Sequence, residues 1–316
     1  MRTVLLSTPP GALGGNRTTA LRWAQQLRTM GWTVCRTGHD SERQAASRAD
    51  LILALHAVRA RPEVDRWLAR RPEAKLVVAC TGTDIYESKD SAQPLLERAD
   101  RIIVLQERAL DELSAGQRRR AHVIHQSTPR RSVPQREAPE IAVIASLRAV
   151  KEPLLAAAAS RLLPEESALR VVHVGPSICA ELEDEVRREQ ATNARYEWRG
   201  NVRRSEALCL LAGARAVVLP SRSEGGANVI TEAFAMGTPV LASRVPGNTG
   251  LLGEEHPGLF DAGDVQGLAR LMLRLEREPR FREDLARRSA MRASLASPER
   301  EAAAWRHLLE GLGLGA

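Results

Sequence analysis

Lysine is nearly missing from this chain of 316 residues: Lys75, Lys89 and Lys151 stand against 43 arginines, in a formal net charge of +7. A basic surface of that kind favours anionic partners such as nucleotides, phosphates or nucleic acid. Aromatic residues are scarce too, at 3%. So few stacking platforms put single-stranded nucleic acid well behind small anions. The four cysteines (Cys35, Cys80, Cys179, Cys209) lie far apart with no CxxC pair. That pattern excludes a disulfide or zinc framework and suits a reducing cytosol. Long apolar runs are absent as well. The opening MRTVLLSTPPG is apolar over only two or three residues, too few for a secretion signal, and nothing later approaches a membrane span. A cytoplasmic protein without membrane or nucleic-acid partners is expected.

What is present is an ordinary globular balance, 43% hydrophobic and 27% charged, with enough chain for two separate cores. Short apolar runs alternate with helical patterns. TVLLST precedes RTTALRWAQQLRTMG, in which Leu21, Ala24 and Leu27 space an amphipathic helix ending at Gly31. DLILALH, KLVVAC, DRIIVLQ and, more weakly, AHVIHQ read as strands buried on both faces. A polar, proline-bearing linker follows, TPRRSVPQREAPE from Thr128 to Glu140. The alternation then restarts with IAVIAS, LRVVHVG, RYEWRG, ARAVVLPS and TPVLAS. The pattern predicts an α/β chain of two Rossmann-like, doubly wound domains, residues 1–135 and 136–297, facing a central cleft at the carboxyl ends of their sheets. The last segment, Pro298 to Leu312, carries Trp305, Leu308 and Leu309 at helical spacing and has the reach to cross back to the first domain.

The stretch SEGGANVITEAFAMGTPVLAS holds the strongest chemistry. It predicts a strand end, a loop and a helix with Val229, Ile230, Ala233 and Phe234 as the buried stripe, stopped by Gly237 and Pro239. Asn228 and Glu232, four apart, would share the opposite face. A helix start with Gly225, Gly226 and Ala227 before it suits a phosphate. Two carboxylates beside an anion site call for neutral hydrogen-bond donors, so Glu224 and Glu232 fit the hydroxyls of two sugar rings, as in a nucleotide sugar. A second anion cradle is expected at Gly14, Gly15, Asn16, Arg17 and Thr18, which follow the first strand and open a helix. Thr81, Thr83 and Asp84 end another strand and would line the same cleft, and His56 ends the run LILALH. His122 and His125 are expected to be structural, and neither metal-spaced histidines nor an Asp-x-Asp motif is seen, so no metal is expected.

The E-x7-E motif of Glu224 and Glu232, within AVVLPSRSEGGANVITEAFAMGTPVLAS, resembles the retaining glycosyltransferases of family 4, which have the GT-B fold. The resemblance implies that Glu224 contacts the donor sugar and Glu232 the ribose. In that family an Arg-Leu pair, with a lysine four residues after the leucine, holds the donor diphosphate. Leu147 and Lys151 match; Ser146 takes the arginine's place and Arg148 follows, so Arg148 and Lys151 are expected to stabilise the leaving diphosphate. EWRGNV matches the loop near the base, with Arg199 and Asn201 as candidates, and a family histidine near His56 contacts the donor sugar.

The first half, through GGNRTTALRWAQQLRTMGW, LILALHAVRA, VVACTGTDIY, ADRIIVLQ and VIHQS, is similar to the selenosugar synthases of selenoneine biosynthesis. That similarity implies transfer of the sugar of UDP-N-acetylglucosamine or UDP-glucose to selenophosphate, with UDP and then phosphate released and a 1-selenosugar formed. It implies no cofactor beyond these substrates, and a selenophosphate synthetase and a selenoneine synthase as pathway neighbours. Selenophosphate is ionised near neutral pH, so no strong general base is needed; Asp84 is the fallback. The alternatives are an ordinary family 4 O-glycosyltransferase with an alcohol acceptor, a nucleotide-sugar-binding regulator without turnover, and a DNA binder marked by steep salt dependence.

Overall fold

The structure, a computed structural model, describes residues 2–8, 14–36, 48–129 and 140–315. The chain divides into two units, Met1–Gln126 with Glu299–Ala316, and Ser127–Pro298. Each is built on its own six-stranded sheet, parallel at every pairing.

In the first unit the strands are β1 (Thr3–Ser7), β2 (Thr33–Arg36), β3 (Leu51–Leu55), β4 (Lys75–Ala79), β5 (Arg101–Val104) and β6 (Ala121–Val123), in the order β2-β1-β3-β4-β5-β6. The pleat explains why their sequences are apolar throughout. Leu51, Leu53 and Leu55 join Val4, Leu6 and Trp23 on one face, and Ile52 and Ala54 join Leu5, Val64 and Trp67 on the other. Helix Gly15–Thr29 buries Ala20, Trp23, Ala24 and Leu27, whereas Leu21 is 44% exposed. The buried stripe is therefore rotated by one position from the expected one, because Trp23 is the side chain that fills the space above the sheet.

Helix Pro298–Glu310 packs in this first unit. Trp305 meets Trp23 edge to face at 5.1 Å. The buried Glu301 carboxylate accepts from Trp23 Nε1 (2.7 Å), Gln26 Nε2 (2.9 Å) and Arg22 Nε (3.1 Å). A buried carboxylate is tolerated only with such partners.

The second unit carries β7 (Glu140–Ile144), β8 (Arg170–Val174), β9 (Tyr196–Trp198), β10 (Ala216–Leu219), β11 (Val240–Ser243) and β12 (Leu259–Phe260), in the order β12-β11-β10-β7-β8-β9. The division between units falls after Gln126 rather than after residue 135: the amide of Thr128 already donates to Ala296 O, 3.0 Å away within the second unit. Of the expected linker, residues 130–139 lie outside the described residues. Strands β2 and β12 had no counterpart in the apolar pattern. Among the described residues no helix is long and apolar enough to cross a membrane.

Candidate active site

From β7 the second unit's chain proceeds to β8 and β9 on one side, then returns to place β10, β11 and β12 on the other. The direction of travel switches between β7 and β10. In open α/β sheets the carboxyl ends at such a switch point form the ligand crevice. Here the two loops leaving it carry Ser146–Lys151 and Ser221–Ala227.

These loops meet through a charge pair. Lys151 Nζ lies 2.7 Å from Glu224 Oε1, and the hydroxyl of Ser221 donates to the same oxygen at 2.7 Å. The Glu224 side chain is only 10% exposed and that of Lys151 23%, so solvent screens this pair weakly. Lys151 closes a single 3₁₀ turn, Ala149–Lys151, with Arg148 half-buried at its start and Ser146 half-buried before it. The turn is pinned on both sides. Leu147 is buried and its amide donates to Pro176 O at 2.9 Å. Arg222 donates through its amide to Val150 O at 2.9 Å and through its guanidinium to Glu152, a residue held at φ +48°. From the far side Gly247 packs so closely that a Cβ there would sit 1.8 Å from Glu224 O. Only glycine fits that approach.

Gly225, Gly226 and Ala227 are buried and lead into helix Asn228–Met236. This helix is covered on more sides than its sequence suggests. Ile230, Ala233 and Phe234 are buried as expected and Val229 is half-buried, but Thr231 and Glu232 are buried too. Glu232 is not on an open face: Arg204, at the start of helix Arg204–Gly213, places Nη2 2.7 Å from Glu232 Oε1. Both motif carboxylates are thus buried, each against one cation. Asn228 stays half-buried at the helix start. The expected base-side residues behave differently. Arg199 is exposed and engages Glu197 with two bonds of 2.9 Å, and Asn201 is exposed. Neither hydrogen-bonds to Glu224, Glu232 or Lys151, because the Arg199 fork already has a carboxylate two residues away. Ser221, Arg204 and Gly247 were missed by sequence reasoning. Ser221 had a local signal, three residues before Glu224 in PSRSE; Arg204 had none, since folding brings it to Glu232.

Residues 138–278 match the profile of the family Glycosyl transferases group 1. Three solved structures superpose along nearly the whole chain. Sucrose-phosphate synthase from Thermosynechococcus elongatus gives a TM-score of 0.77 at 18% identity over 99% of each chain. Anabaena HepE in complex with UDP-glucose gives 0.75 at 16% identity, covering 99% of this chain and 100% of that one. A glycosyltransferase from Rickettsia africae ESF-5 gives 0.71 at 14% identity over 98% of each. The chain has the GT-B fold.

In this GT-B fold the second unit is the C-terminal domain and holds the pair just described. The N-terminal domain has its own switch point, between β1 and β3. Residues 9–13, between Thr8 and Gly14, lie outside the described residues. Gly14 has φ +69° and ψ −134°, a backbone open to glycine. Helix Gly15–Thr29 starts there with no acidic residue in its first turn. Arg17 is exposed and Asn16 and Thr18 are half-buried.

After β3, His56 is buried and held at φ +82°, a rare conformation for a residue with a Cβ. Its Nδ1 accepts from the Arg59 amide at 3.3 Å and lies 3.7 Å from Asp84 Oδ2, and its Nε2 is 3.0 Å from Thr83 Oγ1. Asp84 corrects an expectation. It is fully buried, and it accepts from the amides of Ala57 (2.8 Å), Thr81 (2.8 Å) and Gly82 (2.9 Å). A carboxylate so engaged ties the loops after β3 and β4 together and is not disposed to act as a base or to touch an acceptor. The neighbouring Cys80 thiol is pushed up by burial and, secondarily, by the Asp84 charge.

Proposed function

We propose that this protein is a glycosyltransferase that moves the sugar of UDP-glucose or UDP-N-acetylglucosamine to selenophosphate. The observation that carries the donor half is the partly buried Lys151–Glu224 pair at the switch point of the C-terminal domain. It puts a cation for the diphosphate next to a carboxylate for the sugar, where those two parts of a nucleotide sugar join. Glu232, 2.7 Å from Arg204, is the ribose ligand in this reading. The match to Glycosyl transferases group 1 and the likeness to HepE, whose structure holds UDP-glucose, support the donor class.

In the proposed reaction the selenium of selenophosphate attacks the sugar C1. The bond from C1 to the diphosphate oxygen breaks and UDP leaves with the electron pair, its charge stabilised by Lys151 and Arg148. Water then cleaves the P–Se bond, which releases phosphate and leaves a 1-selenosugar. The acceptor half rests on the resemblance of the N-terminal domain and on the cradle Gly14–Thr18. Because selenophosphate is already an anion, the engagement of Asp84 by three amides is no obstacle. Mass spectrometry of products from selenophosphate and a panel of UDP-sugars tests the reading. A selenosugar with UDP release is expected. UDP release with alcohols but not selenophosphate would turn the reading to an O-glycosyltransferase, and the absence of UDP release with any acceptor would turn it to a binding protein.

A further inference from the structure

Both hydrogen bonds of the Glu224 carboxylate, from Lys151 Nζ and Ser221 Oγ, end on Oε1; among the described residues Oε2 takes none. Ser221 is itself buried and held from behind. The Ser243 hydroxyl donates to Ser221 O, and Asn248 Nδ2 donates to Ser243 O (3.0 Å) and Ser243 Oγ (3.2 Å). All three residues are buried, Ser243 and Asn248 completely. Gly247, one residue before Asn248, closes on the Glu224 backbone. The end of β11 and the helix start that follows it therefore form one rigid bed under Glu224.

We infer that Ser221 is the positioning residue of the donor-sugar site: with Lys151 it saturates Oε1 and so presents Oε2 to a hydroxyl of the transferred sugar. The inference rests on the donor reading above. Without the Ser221 hydroxyl, Oε1 keeps Lys151 alone and the carboxylate can rotate about its last torsion, so neither oxygen is reserved for the sugar. UDP lacks that sugar and does not sense the change.

The test compares UDP and UDP-glucose affinity, measured by calorimetry, for the wild type and Ser221→Ala. A charged hydrogen bond of this kind corresponds to about a tenfold effect or more. UDP-glucose should bind about tenfold more weakly to Ser221→Ala while UDP affinity stays within about twofold. Ser221→Thr, which keeps the hydroxyl, should recover most of the loss. If Ser221→Ala does not fold, Ser243→Ala releases the Ser221 carbonyl from behind and should give the same split at smaller size. A wild type that binds neither ligand overturns the donor reading and this inference together. A wild type that binds both, with variants that lose UDP and UDP-glucose equally or not at all, overturns the role of Ser221 and leaves the donor reading intact.

Discussion

The two domains share an architecture but engage the acids at their sheet-end loops differently. In the C-terminal domain the acids of the motif are buried and paired with cations, Glu224 with Lys151 and Glu232 with Arg204. In the N-terminal domain the buried acid at the corresponding loops, Asp84, is spent on backbone amides, and the cation Arg17 stands exposed. The first arrangement fixes each acid beside a positive charge, which in the proposed donor reading suits a ligand that carries both hydroxyls and a diphosphate. The second fixes loop shape and offers charge from one side chain and a helix start. A site assembled from paired charges should respond sharply to the loss of either partner, and a site assembled from loop shape should not.

The largest effect that separates the domains is on stability. His173 and His256 both lie in the C-terminal domain, and burial lowers each from 6.5 to about 4. His173 is satisfied as the neutral form, with Nε2 2.9 Å from Ala145 O and Nδ1 2.9 Å from the Tyr196 hydroxyl. His256 has the Arg288 and Arg292 charges beside it as a second cause. In the unfolded chain both would take up protons near 6.5, so the stability they contribute is present above that pH and is lost as pH falls towards 4. The loss is on the order of 3 kcal/mol for each histidine. In the N-terminal domain His122 is lowered too, by partial burial, then by Arg101 and His307. Hydrogen exchange between pH 7 and pH 4 should show the C-terminal domain losing protection first. Equal loss in both domains would break the comparison.

Next in size is Lys151→Ala. It strands Glu224 in a buried position and, in the proposed reaction, removes the charge that stabilises the leaving diphosphate. Turnover, measured as UDP release, should fall by roughly 10²–10³. A kcat near that of the wild type would move leaving-group stabilisation to Arg148. Glu232→Ala follows, with UDP affinity weakened by about 1.5–3 kcal/mol. Arg204→Ala should weaken UDP less, since nearly half of that side chain is in solvent. Calorimetry with UDP alone checks both, and an unchanged affinity in Glu232→Ala would remove it from the ribose.

The same contrast explains what was legible in the sequence. Strands buried on both faces announce themselves as unbroken apolar runs, and β3, LILAL, was plain. Edge strand β2, TVCR, was not: Thr33 is exposed, its other residues are half-buried, and four mixed residues carry no period. Strand β12 has two residues, too few for any pattern. Glu224 and Glu232 were readable because glycine, helix start and spacing all fall within one short segment. Their partners come from residues 151 and 204, and such long-range pairing leaves no local trace. Asp84 was misread for a related reason. A TGTD turn announces a carboxylate at a strand end, but which way that carboxylate faces depends on the amide of Ala57, twenty-seven residues away.

The smallest effect tests the weaker side of the comparison. Arg17 is exposed two residues inside the helix start that follows Gly14. If selenophosphate docks there, Arg17→Ala removes one charge-assisted contact to its oxygens. The acceptor KM should rise by about tenfold, while UDP affinity stays within about twofold. Gly15→Val should act in the same direction by denying the anion its approach to the helix amides. The competing possibility is that Gly14–Thr18 braces the donor diphosphate. It requires the reverse, a fall in UDP-sugar affinity with the acceptor KM unmoved. Both constants measured on both variants decide the matter. The first pattern would give the N-terminal domain a binding role of its own, built on an exposed cation and a helix start. The second would mean that all the binding chemistry belongs to the donor, and that the N-terminal cradle serves it.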